Sequence, residues 1–393
     1  MELEIKRPEH IVPSYSLTGD LLSYLRCRLR YRYENGSALP PSRPVQQWYG
    51  EFLHGTLELV FRFWNSHRNS FLFPWPCTPR DWNAVAPQWV ENDIGKFADL
   101  VETGLRQQGK QARSREARES GYRRVALAIN ELGPHLFPLI DAVEKKVIGT
   151  RKVAPSQSLL RCENYEVHGV IDVLTGVTLG NAGSTNLIRE CIEEIRPNLI
   201  GDYEVIVDYK GSLRPSTSHK YWTQGDQQIQ TYAWLRSKQP DSLPVAAGIL
   251  IYVNELTPGN QEMQNLKAGI ATGKTDVIPT PSSADERLVR LWRPGMDAEQ
   301  LSLEFRLRRA VRVIPVTQAS TQDALLAFDD VVRQVEEDIA VEANIGDILQ
   351  AWSPQCSDEN DCSACDFRYF CPKPAGSPDG YRPLAGKVIS SLT

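Results

Sequence analysis

The sequence predicts an α/β fold, and three observations carry that prediction. Apolar residues recur at helical spacing through the first third, short β-branched runs with alternation occupy the middle, and a helix and a buried strand follow the third of those runs. At 393 residues the chain is long enough for one large domain or for two or three modest ones. Its apolar fraction of 41% and charged fraction of 24% place it among ordinary soluble globular proteins.

Taken in order, residues 16–34 read as a helix, with Ser16 or Thr18 as cap before LLSYLRCRLRYRYE. Helical spacing continues over 46–69 (QQWYGEFLHGTLELVFRFWNSHRN), 88–108 and 113–140, with a Pro-rich break at 73–80. VEKKVIGTRKV (143–153), NYEVHGVIDVLTG (164–176) and DYEVIVDYKGS (202–212) read as strands, and 177–201 as a surface insertion between the last two. KYWTQGDQQIQTYAWLRS (220–237) reads as a helix, LPVAAGILIYVN (243–254) as a buried strand, and 297–313 and 319–348 as further helices. This gives an αβββαβ core at 141–260, between an N-terminal helical region (1–140) and a C-terminal one (261–393), packed as one compact unit. The stretch Gly269-Ile-Ala-Thr-Gly273-Lys274-Thr275 has glycines one residue too close for a phosphate-binding loop, so it reads as an ordinary loop without an ATP motor.

No apolar run reaches the roughly eighteen residues that a membrane span needs. The opening MELEIKRPEHIVPS lacks the apolar centre of a secretory signal, so a cytoplasmic location is expected. In a reducing compartment, clustered thiols among the eight cysteines point to a metal site rather than disulfides. The net charge of −5 excludes a generally basic nucleic-acid binder but leaves room for a local basic channel.

The chemistry concentrates on two strands. Asp172 ends the apolar run HGVID, while Asp208 and Lys210 form D-Y-K at the end of EVIVDYK, on one face of that strand by its period of two. Two carboxylates beside a lysine suit phosphodiester hydrolysis, because hard Mg²⁺ or Mn²⁺ takes oxygen ligands and lowers the pKa of a bound water. The alternative is a pair of strand-end surface charges. His54, in Gly50-Glu-Phe-Leu-His54, adds an imidazole that can complete such a metal site, against the alternative of a polar helix position. Gln228 and Tyr232, four residues apart, share one helical face and present an amide and a phenol.

Near the end, CSDENDCSACDFRYFC places Cys356, Cys362, Cys365 and Cys371 within sixteen residues. As a local C-x5-C-x2-C-x5-C set they would suit tetrahedral zinc, and spacing alone does not separate zinc from iron–sulfur. Cys77, Cys162 and Cys191 read as ordinary buried or loop thiols. Arg26, Arg28, Arg30 and Arg32 alternate with Leu25, Leu29, Tyr31 and Tyr33, and a second basic run comprises Lys110, Arg113, Arg115, Arg118, Arg123 and Arg124. Either run can track a phosphate backbone, and either can be a solvated helix face.

In their order, G-x3-H at 50–54, G-x-I-D at 169–172, D-Y-K at 208–210 and Q-x3-Y at 228–232 resemble the PD-(D/E)XK nuclease superfamily, in its RecB-type branch. The opening SYSLTGDLLSYLRCRLRYRYE is similar to the start of that branch, and Cys362-x2-Cys365-x5-Cys371 resembles the late cysteine run of its iron–sulfur members, such as the CRISPR-associated RecB-like exonucleases and the AddB nuclease domain. The resemblance covers motifs from about residue 14 to 372. It implies a restriction-endonuclease-like core with a C-terminal iron–sulfur staple. His54, Asp172 and Asp208 would bind Mg²⁺ or Mn²⁺, Lys210 would be the catalytic lysine, and Gln228 and Tyr232 would support the site or the DNA strand. Cys27, Cys362, Cys365 and Cys371 would ligate a [4Fe-4S] cluster. Cys356 has no place in that pattern, and the spacing between Asp172 and Asp208 is wider than the usual hairpin. Glu144 matches an acidic position of relatives and stays outside the predicted set. The implied activity is a DNA nuclease, an exonuclease on single strands or free ends, in repair, recombination or CRISPR-type processing. It would act alone or beside a helicase or other protein subunit. The rival reading is a non-catalytic nucleic-acid-binding or assembly subunit on the same fold, and RNA remains a further substrate class.

Overall fold

A mixed sheet of six strands runs through the molecule and sorts its helices into two layers. The structure is a computed structural model, and it describes residues 12–377 except 36–44, 68–69, 81–86, 153–162, 178–181, 184, 200, 297–299 and 357. The strands are β1 (Ser14–Ser16), β2 (Ile140–Lys152), β3 (Asn164–Val177), β4 (Tyr203–Lys210), β5 (Val245–Tyr252) and β6 (Val311–Pro315). The helices are α1 (Leu22–Arg26), α2 (Arg28–Asn35), α3 (Val45–Ser66), α4 (Ile94–Gln107), α5 (Arg115–Leu127), α6 (Gly133–Leu136) and α7 (Leu187–Ile195). They continue as α8 (Lys220–Ser237), α9 (Asn260–Thr272), α10 (Ala284–Leu291), α11 (Leu303–Ala310), α12 (Gln318–Ile345), α13 (Ile348–Ala351) and α14 (Glu359–Ser363).

β2 and β3 form a long antiparallel hairpin, β4 pairs antiparallel with β3 only over Val173–Val177, β5 runs parallel to β4, and β6 closes the order antiparallel to β5. β1 lies parallel to β3, with Ser14, Tyr15 and Ser16 opposite Glu166, Val167 and His168. Since β2 holds one edge of β3, β1 and β4 share the other edge and take opposite ends of it. The residues between, Gly169 to Asp172, face a fork where β4 leaves β3 and continues with β5 alone.

β4 and β5 are buried almost throughout, which explains their near-continuous apolar runs: a strand covered on both faces does not alternate. On one face Val173, Val205, Val207 and Ile249 pack with Phe52, Leu53 and Leu57 of α3 and Val125 of α5. On the other, Leu174, Ile206 and Leu250 pack with Ile229 of α8, Leu29 of α2 and Phe328 of α12. Both layers therefore join segments from the predicted N-terminal, core and C-terminal regions. A smaller cluster of Met263, Leu266, Val289, Trp292 and Phe305 holds α9, α10 and α11 together.

Several sequence expectations need correction. The predicted helix at 16–34 is a strand, a π-helical turn and two helices, broken at Cys27, whose extended φ of −163° and ψ of 117° stop α1. The helix expected from 88 begins at Ile94, because Asp93 accepts from the N–H of Gly95 at 2.8 Å and caps it. The insertion at 177–201 is no mere surface loop: α7 buries Ile188 and Ile192 in the main core. The helix expected over 297–313 ends at Ala310, and Val311–Pro315 form β6, whose alternation VRVIP continues the sheet. Gly269 to Thr272 are helical, and Gly273, at φ 65°, ends α9 in the left-handed conformation that glycine adopts without penalty. That run thus sits at a helix C-terminus, the opposite polarity to a phosphate cradle. Cys162 lies outside the described residues.

Candidate active site and thiol cavity

The fork in the sheet is where the predicted site residues meet. His54, Asp172, Asp208, Lys210, Gln228 and Tyr232 line one cavity of about 480 Å³, with Ser16, Thr18 and His168 at its other end. α3 brings His54, the two diverging strands bring Asp172, Asp208 and Lys210, and α8 brings Gln228 and Tyr232 across the mouth.

Asp172 ties the fork together. Its Oδ2 accepts from the backbone N–H of Tyr209 at 3.0 Å and lies 3.2 Å from Nδ1 of His54. His54 Nε2 donates to the carbonyl of Tyr209 at 2.9 Å; a carbonyl only accepts, so this nitrogen carries the hydrogen. Nδ1, toward Asp172, is then the nitrogen whose lone pair is free in the neutral ring. This is the arrangement metal-binding histidines use, with the second nitrogen anchored to a backbone acceptor. Burial alone would lower the His54 pKa, but the Asp172 carboxylate, aided by Asp208 and the Tyr209 carbonyl, raises it to about 9.

Asp208 is buried, and its Oδ1 accepts from Gln228 Nε2 at 2.8 Å while Gln228 Oε1 accepts from Lys210 Nζ at 2.7 Å. Asp208 Oδ2 lies 2.6 Å from Lys210 Nζ, yet outside the directions of a hydrogen bond, so no donor points squarely at this buried oxygen. Burial raises the Asp208 pKa; Lys210 counters this and the Asp172 charge adds to it. Tyr232 is buried beside Gly169, where a Cβ would stand 2.7 Å from its ring, so only glycine lets the phenol approach the strand this closely. Burial raises the Tyr232 pKa, with the Asp208 and Asp172 charges acting in the same direction.

Glu144 belongs to this site, although the sequence reading left it aside. Pairs Val143↔Val173 and Lys145↔Ile171 set it opposite Asp172 across the hairpin, and its backbone takes a φ of 52°, rare for a residue with a Cβ. Ligand atoms of His54, Glu144 and Asp172 all lie within 4.8 Å of one another. Burial, then the charges of Asp172 and Glu58, raise its pKa. Opposed carboxylates destabilise a strand pair, and a strained backbone costs on the order of 1–3 kcal/mol. A divalent cation among these oxygens would offset both, and the donor set of carboxylates with one imidazole fits Mg²⁺ or Mn²⁺. The available signal was the acidic position on a strand paired with that of Asp172.

The second constellation lies at the far end of α8. Cys27, Cys356, Cys362, Cys365 and Cys371 line one cavity, together with Arg26, Arg30 and Tyr33. The break in the first helix delivers Cys27 to it. The others come from a knot of turns in which the N–H of Cys365 donates to the Cys362 carbonyl at 3.2 Å and that of Cys371 to Phe367 at 3.0 Å. These thiols are unpaired by disulfides, as are Cys77 and Cys191, which burial pushes up to about 12 and about 11. A set of at least four thiols from two distant segments fits a thiolate-bound metal or cluster by its donor chemistry. The start of α8 touches this knot: Tyr221 donates to Asp361, and Lys220 lies 3.9 Å from Asp361.

The basic runs divide. Arg32 forms a bidentate pair with Glu342 at 2.6 Å, buried, and Arg28 lies 3.5 Å from Asp338, so both anchor α2 to α12 rather than face solvent. Arg26 stacks on Tyr221, and Arg30 pairs with Glu34 at 2.7 Å beside the thiols. In the second run Lys110, Arg115, Arg118 and Arg124 are each ion-paired with a glutamate.

No family model and no curated protein matches the chain. Among solved structures, the crystal structure of SSO0001 aligns over 80% of this chain and 95% of that chain, at 14% identity and a TM-score of 0.24. That likeness is too small to carry an argument about fold or function. Among the described residues, no helix is long and apolar enough to cross a membrane.

Proposed function

We propose that this chain is a divalent-metal-dependent nuclease of the PD-(D/E)XK type, RecB-like in its motifs, that hydrolyses DNA phosphodiesters and carries an iron–sulfur clasp. The observation that supports this most is the meeting of His54, Glu144, Asp172, Asp208 and Lys210 at one fork in the sheet. Five such groups from four elements do not gather where a surface needs only solubility, and leaving them together without a cation costs stability.

In this reading His54 Nδ1, Glu144, Asp172 and the undirected Oδ2 of Asp208 would hold Mg²⁺ or Mn²⁺, which would supply an activated water and polarise the phosphate. Lys210 stands at the mouth of the site with its ammonium fixed by Gln228, so it can offset the negative charge that builds on phosphate oxygens without reorganising. Gln228 divides one amide between the two catalytic side chains, its Nε2 on Asp208 and its Oε1 on Lys210. Tyr232 lines the cavity and packs its ring on Gly169. Ser16, Thr18 and His168 lie where the chain flanking a scissile phosphate would run.

Cys27, Cys362, Cys365 and Cys371 would carry a [4Fe-4S] cluster that joins the N-terminal segment to the C-terminal one. Among the described residues, the trio that closes within 4.8 Å is His54, Glu144 and Asp172 and not a set of thiols. The five thiols that line one cavity offer such a cluster its full set of four thiolates.

End-labelled single- and double-stranded DNA incubated with Mn²⁺, Mg²⁺ or EDTA tests the reading. Metal-dependent cleavage by the native protein, lost by about 10³-fold or more in Asp208→Asn with its circular dichroism unchanged, is the expected result. Strand binding without cleavage under every metal condition would overturn it in favour of a non-catalytic subunit.

A further inference from the structure

The thiol cavity holds one sulfur more than a four-ligand centre uses, and the extra one has a defined neighbour. Cys356 Sγ donates to the carbonyl of Asp358 at 3.4 Å, and the backbone N–H of Cys362 donates to the same carbonyl at 3.0 Å. Both cysteines are thus fixed on a single acceptor at the start of α14, and the Cys356 and Cys362 thiols contact each other. Cys27 lies near Cys365 and Cys371, and Cys371 is also near Cys356, but the side-chain hydrogen bond of Cys356 is with Cys362. Cys362 is buried, whereas Cys356 is half-exposed and the first of the pair that a solute reaches.

Resting on the iron–sulfur reading above, we propose that Cys356 is a reserve thiol that closes a reversible disulfide with Cys362 when the centre is lost to oxidation. The step is balanced. Cys356, as thiolate, attacks one oxygen of a peroxide and becomes a sulfenic acid, releasing water after proton uptake. The Cys362 sulfur then displaces the hydroxyl, forming the S–S bond and a second water. The two thiols together lose two electrons and two protons, and the peroxide gains them. A small-molecule disulfide serves equally, leaving as two thiols after exchange. The pairing protects Cys362 from irreversible oxidation to the sulfinic acid, and a dithiol reductant returns it to ligand duty.

The test uses the full chain, both as purified and after chelator treatment, exposed to hydrogen peroxide and then alkylated. Asp-N digestion cuts between the two cysteines at Asp358 and Asp361, and fragment ions separate Cys362 from Cys365. A Cys356–Cys362 link as the dominant disulfide, reversed by dithiothreitol, is the expected result. In Cys356→Ser, Cys362 should instead accumulate as sulfinic or sulfonic acid, and iron reloading after the oxidant should fall several-fold relative to wild type. Cys362 linked mainly to Cys27, Cys365 or Cys371, or left as free thiol, would overturn the proposal, and the wild-type map alone decides this if the variant does not fold. Zinc instead of iron in the purified protein would overturn the centre assigned above, while the link in the stripped protein still judges the pair.

Discussion

Lys210 and Gln228 divide the work at the fork unequally. In the proposed nuclease the ammonium would face the reacting phosphate, whereas the amide holds Lys210 and Asp208 in register. Lys210→Ala should therefore lower single-turnover cleavage by about 10²–10³-fold, and Gln228→Ala by about 10–100-fold, as second-layer partners of a metal site do. Equal losses in the two variants would show that the amide itself touches substrate. Gly169 tests the cavity from below. Gly169→Ala sets a methyl 2.7 Å from the Tyr232 ring and should cost about 1–3 kcal/mol by overpacking, measured by urea unfolding. Tyr232→Leu in the same chain should recover part of that loss by making room.

Among the elements, α2 and α12 are joined by a charge cluster that an apolar reading of either helix would miss. Glu342 accepts from both Arg32 nitrogens and from Trp352 Nε1 at 2.6 Å, all three residues being buried. Removing one partner leaves the other charge buried, so Arg32→Ala should lower unfolding stability by about 3–5 kcal/mol. Arg32→Ala/Glu342→Gln together should cost less than the sum. This is also where legibility ended. Asp208 and Lys210 were readable because strand period places them on one face, and α8 because its pattern is long. Arg32 looked like one cation in an alternating row, since a buried partner 310 residues away leaves no local trace. β6 was lost because five residues directly after a helix give too short an alternation, and Cys27 looked mid-helix because nothing beside it in sequence breaks a helix. Glu144 draws notice only through the family resemblance and stays outside the predicted set; its pairing opposite Asp172 is what brings it to the site.

For the molecule as a whole, the crowded acids and His54 make stability depend on pH and on metal together. In EDTA the His54 imidazolium is favoured in the folded state. With its pKa raised from 6.5 to about 9, its contribution is full below about pH 6.5 and is lost as pH rises through about 9. The raised pKa values of Asp208 and Glu144 act in the same direction, since deprotonation adds repulsion in the fold that the unfolded chain does not feel. The melting temperature in EDTA should thus fall between pH 6 and 9, and added Mn²⁺ should raise it more at pH 8.5 than at pH 6. His54→Gln should flatten the EDTA profile. A metal effect independent of pH would place the cation elsewhere.

β1 lies against β3 in the middle of the chain and Arg32 against Glu342 near its end, so the N-terminal segment completes its contacts only late in synthesis. At ribosomal speeds of about 5–20 residues per second, Arg32 waits roughly 15 to 60 s for Glu342 to emerge. Until the sheet and α8 emerge, the apolar Leu17, Leu21 and Leu29 have no layer to cover them, and the Cys27 thiol waits longer still for its companions. The segment that later locks the molecule shut is thus the one most open to chaperones, and to oxidation, while the protein is being born.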